Sequence, residues 1–400
     1  MSKLVQTKDG KNYLVPFLLI TSLFFLWGFA HSILDVLNKH FQDAFEITKT
    51  RSALIQAMVY GGYFIMAIPA GKIIRKYGYR TGVITGLLLY GVGALLFIPG
   101  SKMMSFDFFL FSLFIIGCGL TCLETAANPY VTVLGEPDGA ERRINFSQSF
   151  NGLGWICGPL VGGFFLFAEE GEANIAAPYA IIGVIVLLVA VVFSRVSLPE
   201  IENGSDQAVS TTGTETYLWK VPTFVLGLVV LFLYVAAQTG INSFFINYMT
   251  ENASISAHQA SLWLSFGGMG LFVAGRFGGS WLMKYLRAEK VLAICGLAAM
   301  IAMLGVIILP GHYGMYFFFL CFFAESIMFP TIFALAIRET GNATKKASSY
   351  LIMSIVGGAV APLMMGMIAD SYSMNYGFII PLFCFVAIAG YALGYRGLLR

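Results

Sequence analysis

The amino-acid sequence predicts an all-α membrane protein, with twelve transmembrane helices arranged as two related halves of six. Three observations carry this expectation. Of 400 residues, 58% are hydrophobic and only 11% charged, whereas a soluble domain carries about 25% charged residues. Lys and Arg gather in alternate loops. Three short patterns recur at a near-constant offset. The net charge of +3 is too small to point to a nucleic-acid partner.

A helix needs about 20 apolar residues to cross a hydrocarbon core of ~30 Å. The runs that meet this length are 14–37, 53–74, 81–100, 106–133, 144–168 and 177–197, then 221–248, 259–283, 290–309, 314–337, 348–369 and 377–396. Gly and Pro within them are compatible with membrane helices, because neighbouring helices satisfy the freed backbone groups. Met1 to Tyr13 is polar and carries Lys3, Lys8 and Lys11. The run that follows is too long for a signal-peptide core and has no small-residue cleavage site, so it is expected to stay as the first span.

With the N-terminus placed inside, the cytoplasmic segments hold nineteen Lys and Arg and the outer loops four, Lys39, Lys49, Arg51 and Lys102. Arg276 alone lies within a span. Basic residues favour the cytoplasmic side, so both termini are expected there and the number of spans is even. Ser197 to Lys220 is polar, without apolar periodicity, and reads as a cytoplasmic linker. It separates a six-helix bundle at 1–197 from one at 221–400, with the linker at 198–220.

The halves repeat. Glu124 and Pro129 in span 4 match Glu325 and Pro330 in span 10; Gly154, Pro159 and Gly163 match Gly357, Pro362 and Gly366; Gly71, Lys76 and Tyr77 match Gly279, Lys284 and Tyr285. Parallel repeats of this kind mark transporters that hold substrate between their halves near the bilayer midplane.

Few ionisable groups lie within the spans, and each costs ~2.5–3.5 kcal/mol at the bilayer centre unless it pairs, faces a cavity or binds a proton. Asp35 is read as a proton-binding carboxylate, with His31 one turn earlier on the same face, where it could hydrogen-bond Asp35. Glu124 sits mid-span with no basic residue nearby, and Asn128 follows one turn later. Glu325, its repeat partner, reads as a second coupling or substrate-binding acid, or as a balance for Arg276. Arg276 reads as a structural or snorkelling residue, and Arg75 and Lys76 as topology signal or gate latch. Gln148 with Asn151, and Gln238 with Asn242, share helix faces, and amides both donate and accept as vicinal hydroxyls require. Trp27 or Phe245 could stack on a sugar ring. The six cysteines all fall in apolar runs and read as packing residues, with neither a disulfide framework nor a zinc pattern.

The repeat, with the basic segment Gly71-Lys-Ile-Ile-Arg-Lys-Tyr-Gly-Tyr-Arg after span 2, resembles the major facilitator superfamily. Within it, LFFLWGFAHSILD, CLETAANPYVTVLG, NFSQSFNGLG and MFPTIFALAI look like the fucose/glucose–galactose permease group. The resemblance runs through nearly the whole chain. It implies that Asp35 and Glu124 couple the cation and that Glu124, Gln148, Asn151 and Gln238 bind sugar. Two features depart from the family pattern: His31, Ser32 and Leu34 ahead of Asp35, and Glu325 in span 10.

The expectation is therefore a symporter for a neutral monosaccharide working by alternating access, in a bacterial inner membrane. Protons are favoured as the coupling ion, with sodium at Asp35 and Glu124 the alternative, and no cofactor or fixed metal. A facilitator or exporter of another polar solute is the rival among transporters. A membrane enzyme is disfavoured, because only four His occur, three of them read as lying in outer loops, and neither HExxH nor GxSxG is found. The expected partners are the sugar, the cation and the lipid bilayer, with the chain a monomer.

Overall fold

A computed structural model describes residue 5 and residues 12–135, 140–167, 175–196, 217–283 and 285–399. The expected linker at 198–220 lies outside the described residues as far as 216. What is described is almost wholly helical. In chain order the helices are α1 (Leu14–Phe45), α2 (Lys49–Ser52), α3 (Leu54–Leu95), α4 (Phe97–Met103), α5 (Phe106–Val133), α6 (Ala140–Leu166) and α7 (Ala176–Arg195). There follow α8 (Pro222–Asn252), α9 (Ala257–Leu262), α10 (Gly270–Leu282), α11 (Ala288–Ile308), α12 (His312–Glu325) and α13 (Met328–Ile337). The last are α14 (Thr344–Met353), α15 (Gly357–Ser371), α16 (Met374–Gly377) and α17 (Ile379–Leu398).

Local chemistry sets several of the boundaries. Ser105 and Ser256 cap α5 and α9 by accepting from the backbone N–H of Phe108 and Gln259. Pro222 opens α8, where its missing N–H costs nothing. Among the described residues, ten helical stretches are long and apolar enough to cross a membrane. Twelve were expected from the sequence, and two features account for the difference. The runs 53–74 and 81–100 fall in one long stretch, Lys49–Met103, most of it α3, which is interrupted at Gly78 with φ 85° and ψ 167°. The run 259–283 is divided into α9, a stretch of π-helix at Trp263–Met269, and α10. A further difference concerns His40, read from the sequence as a loop residue. Because α1 continues to Phe45, His40 lies inside a helix and is buried.

The chain separates into two compact units, Met1–Ile33 with Gly61–Thr212, and Leu34–Tyr60 with Gly213–Arg400. The division passes through α1 and α3. In the first unit, Gly28 of α1 and Gly154 of α6 lie against each other's helix backbone, where no Cβ fits. Polar bonds reinforce this close approach. Thr21 and Ser147 share a hydrogen bond of 2.8 Å, Ser32 Oγ donates to the Gly154 carbonyl, and Asn151 Nδ2 donates to the Phe24 carbonyl at 3.1 Å.

In the second unit α8 is the central helix, packed by α13, α15 and α17. Tyr391 donates to the Thr223 carbonyl at 3.1 Å, tying α17 to α8. Short α2 is held on α15 by Asp370, which accepts from the backbone N–H of Lys49 and Thr50 and from Thr50 Oγ1, at 2.6–3.0 Å. Lys49 also pairs with Glu251 at 3.1 Å.

The Gly78 conformation is one that only glycine adopts without strain, at a cost of about 1–3 kcal/mol for other residues. Gly78→Ala should therefore lower the thermal midpoint of the purified protein. Gly71→Ala, where a Cβ meets nothing within 4 Å, should leave it unchanged or raised. Equal midpoints for the two variants would contradict the assignment.

Candidate functional site

Each unit holds a polar cluster that its helices could not leave facing hydrocarbon. In the first unit the cluster is built on α1, α3, α5 and α6. His31 Nε2 shares a 2.9 Å hydrogen bond with the Tyr63 hydroxyl. The His31 ring stacks on Trp155, with centroids 6.1 Å apart and planes 14° apart, while Trp27 meets it edge-on. Tyr63 is also hydrogen-bonded to the Glu124 carboxyl. One hydroxyl thus serves both residues, able to donate to the carboxylate while accepting from the imidazole. One turn along α5, Asn128 has a buried Oδ1 with no hydrogen-bond partner. On α6, Asn151 is buried and committed to Phe24, whereas Gln148 is half-buried.

In the second unit the cluster is built on the remainder of α1, the start of α3, and α8. Asp35 is 3% exposed. Its Oδ1 accepts from Gln56 Nε2 at 3.3 Å and from Ser243 Oγ at 3.4 Å. Gln56 also donates to Ser243 Oγ, and Asn38 Nδ2 donates to the Ser243 carbonyl at 2.7 Å. Gln42 and Asn247 exchange hydrogen bonds through their amides, and Thr239 donates to the Tyr60 hydroxyl at 3.1 Å. Gln238 is half-buried and Asn242 buried, both on α8.

The positions expected from the sequence distribute unevenly. His31, Trp27, Glu124, Asn128 and Asn151 fall in or beside the first cluster, and Asp35 anchors the second. His31 and Asp35, one turn apart on α1, turn to different partners, Tyr63 and the Gln56–Ser243 pair. Phe245 is fully buried edge-on to Phe318 and Phe322, with centroids 5.2 and 5.7 Å away, so its ring faces other rings. Arg276 sends Nε to the Ser326 carbonyl at 3.3 Å and lies over the Phe272 ring. Arg75 and Lys76 are exposed, Lys76 over Tyr77. Tyr63, Trp155, Gln56, Ser243 and Asn38 were not singled out from the sequence. The spacing of Asn38 one turn after Asp35 is the one signal that could have found any of them.

The clusters share a chemical bias. At the clusters, Asp35 Oδ2, Asn38 Oδ1, Asn128 Oδ1 and Asn242 Oδ1 are buried without a hydrogen-bond partner. All are acceptors. The complement is a ligand rich in O–H donors, a proton or a small cation.

Residues 18–353 match the Major Facilitator Superfamily. The chain is 34% identical to the glucose/galactose transporter of Brucella abortus, over 97% of this chain and 96% of that protein. It is 37% identical to the L-fucose-proton symporter of Escherichia coli, over 95% and 93%. Among solved structures, the transporter FucP in the outward conformation superposes with a TM-score of 0.70 at 36% identity, covering 96% of this chain and 99% of that one.

The Asp35 cluster yields a direct energetic test. Ser243→Ala and Gln56→Ala each remove a donor from the same carboxyl oxygen, and each should destabilise by about 1 kcal/mol. Because the two donors also bond each other, the double variant should lose less than the sum of the single losses. Strict additivity in reversible unfolding would contradict the shared bond.

Proposed function

The chain belongs to the Major Facilitator Superfamily, and from that premise we propose that it is a secondary active transporter carrying a neutral hexose together with a proton. The hexose is of the fucose, glucose or galactose kind. One observation carries the reading: chain-long similarity to sugar transporters coincides with two carboxyl groups, Asp35 and Glu124, embedded in clusters of amides and aromatics. The bonded groups around these two carboxyls are hydroxyls, amides and rings. A sugar acid or phosphate would call for a cation instead.

Asp35 and Glu124 are assigned to proton coupling. Protonation removes the charge that makes a carboxylate costly in the membrane, so the loaded carrier reorients more readily than the half-loaded one. The membrane potential adds about 2.3 kcal/mol per charge per 100 mV. Sugar contact is assigned to Glu124, Asn128, Gln148, Asn151, Gln238 and Asn242, with His31 and Trp27 as the ring platform. Arg276 is assigned a structural role.

The helix lengths support a count of twelve crossings. The 42 residues of α3 extend about 63 Å, twice a hydrocarbon core of ~30 Å, with Gly78 at the turn. The segment from α9 through α10 supplies another crossing. Six helices then precede and six follow the linker at 198–220, with both termini in the cytoplasm of a bacterial cell and the chain acting as a monomer in the inner membrane. Single cysteines placed within 197–220 and within 169–175 should label from opposite sides; same-side labelling would contradict this topology.

Reconstitution into proteoliposomes tests the function. The wild type should accumulate hexose against its gradient when driven by pH alone. Asp35→Asn and Glu124→Gln, fixed mimics of the protonated carrier, should lose accumulation, and at least one should retain counterflow. Accumulation that follows sodium at fixed pH would make these carboxylates sodium ligands. Inhibition by sugar phosphates in preference to every neutral hexose would overturn the substrate class.

A further inference from the structure

Glu325 ends α12 with its side chain fully buried, and neither carboxyl oxygen meets a hydrogen-bond donor. Its neighbours are committed elsewhere. Tyr234 donates to the backbone carbonyl of Glu325 at 3.0 Å, and Arg276 Nε to the backbone carbonyl of Ser326. No ion pair reaches the carboxyl among the described residues. The titratable groups within electrostatic range of it are Asp35 on α1, Tyr234 on α8 and Cys321 on its own helix. Tyr60 on α3 and Arg276 on α10 act in turn on Tyr234.

An ionised carboxylate without donor or counter-charge is not tolerated in a dry interior, so in this conformation the group is the neutral acid. Asp35 differs: two donors converge on its Oδ1, and it can hold its charge at lower cost. The two acids belong to one compact unit, within electrostatic range of each other. A neutral acid held without a donor is also poorly anchored, and any rearrangement that brings a donor or water to it favours release of the proton.

We propose that Glu325 binds and releases a proton in each transport cycle, as a coupling residue of the second unit alongside Asp35. The step makes and breaks only a carboxyl O–H bond. The proton is taken up from one aqueous side and returned to the other, with no co-reactant. This inference rests on the proton-coupled reading above.

The test compares wild type, Glu325→Gln and Glu325→Asp in proteoliposomes with a one-unit pH gradient, sodium-free, using a labelled hexose. Each coupled proton sustains about a tenfold sugar gradient per pH unit. Glu325→Gln should therefore lose at least about tenfold in accumulation while keeping counterflow, and Glu325→Asp should restore accumulation. Wild-type accumulation by Glu325→Gln would overturn the proposal, making Glu325 a permanently neutral acid. Loss of counterflow in both variants would overturn it too, as a packing role. A wild type that fails to accumulate hexose on the pH gradient would remove the proton-coupled reading, and this proposal with it.

Discussion

Hydrocarbon offers no hydrogen bonds, so every polar group that this chain carries into the membrane has to find its partner within the protein. That constraint organises both compact units. Backbone groups are satisfied by the helices themselves. Side-chain polarity is gathered onto a few helix faces, where hydroxyls and amides bond across to neighbouring helices, as Thr21 does to Ser147 and Asn38 to Ser243. The remainder of the surface is left to Leu, Ile, Val and Phe, many of them exposed as lipid-facing residues must be.

Satisfaction is incomplete in one direction only at the clusters. Their unpartnered atoms are carbonyl and carboxyl oxygens on Asp35, Asn38, Asn128 and Asn242. A buried acceptor without a donor costs free energy, and a protein that kept such groups without use would lose stability for nothing. Protons and sugar hydroxyls are both donors. On the proposed function, a carrier short of donors while empty would gain them on loading, a difference that can bias the conformational equilibrium.

Part of this was legible in the sequence. Hydropathy located the helices because length and composition decide membrane insertion, and isolated acids such as Asp35 and Glu124 stand out against an apolar run. The break at Gly78 was hidden, since a one-residue interruption leaves hydropathy almost unchanged. The π stretch at Trp263–Met269 likewise has no compositional mark. Partners were harder still. Ser243 and Gln56 lie 208 and 187 residues from their bonded partners, Asp35 and Ser243 respectively, and no helical spacing reports a contact at that range. Tyr63 escaped notice because a lone Tyr in a span resembles any interfacial aromatic. Phe245 shows the converse: its type suits ring stacking, but only the fold reveals the Phe318 and Phe322 rings set edge-on against it.

In the proposed cycle, sugar and proton move together. The most direct measurement is the pH of a weakly buffered, sodium-free medium outside proteoliposomes when hexose is added, with the membrane potential clamped at zero. Symport should alkalinise the medium, to an extent that saturates with sugar concentration and is abolished by a protonophore. A medium whose pH stays constant while labelled hexose enters would contradict it.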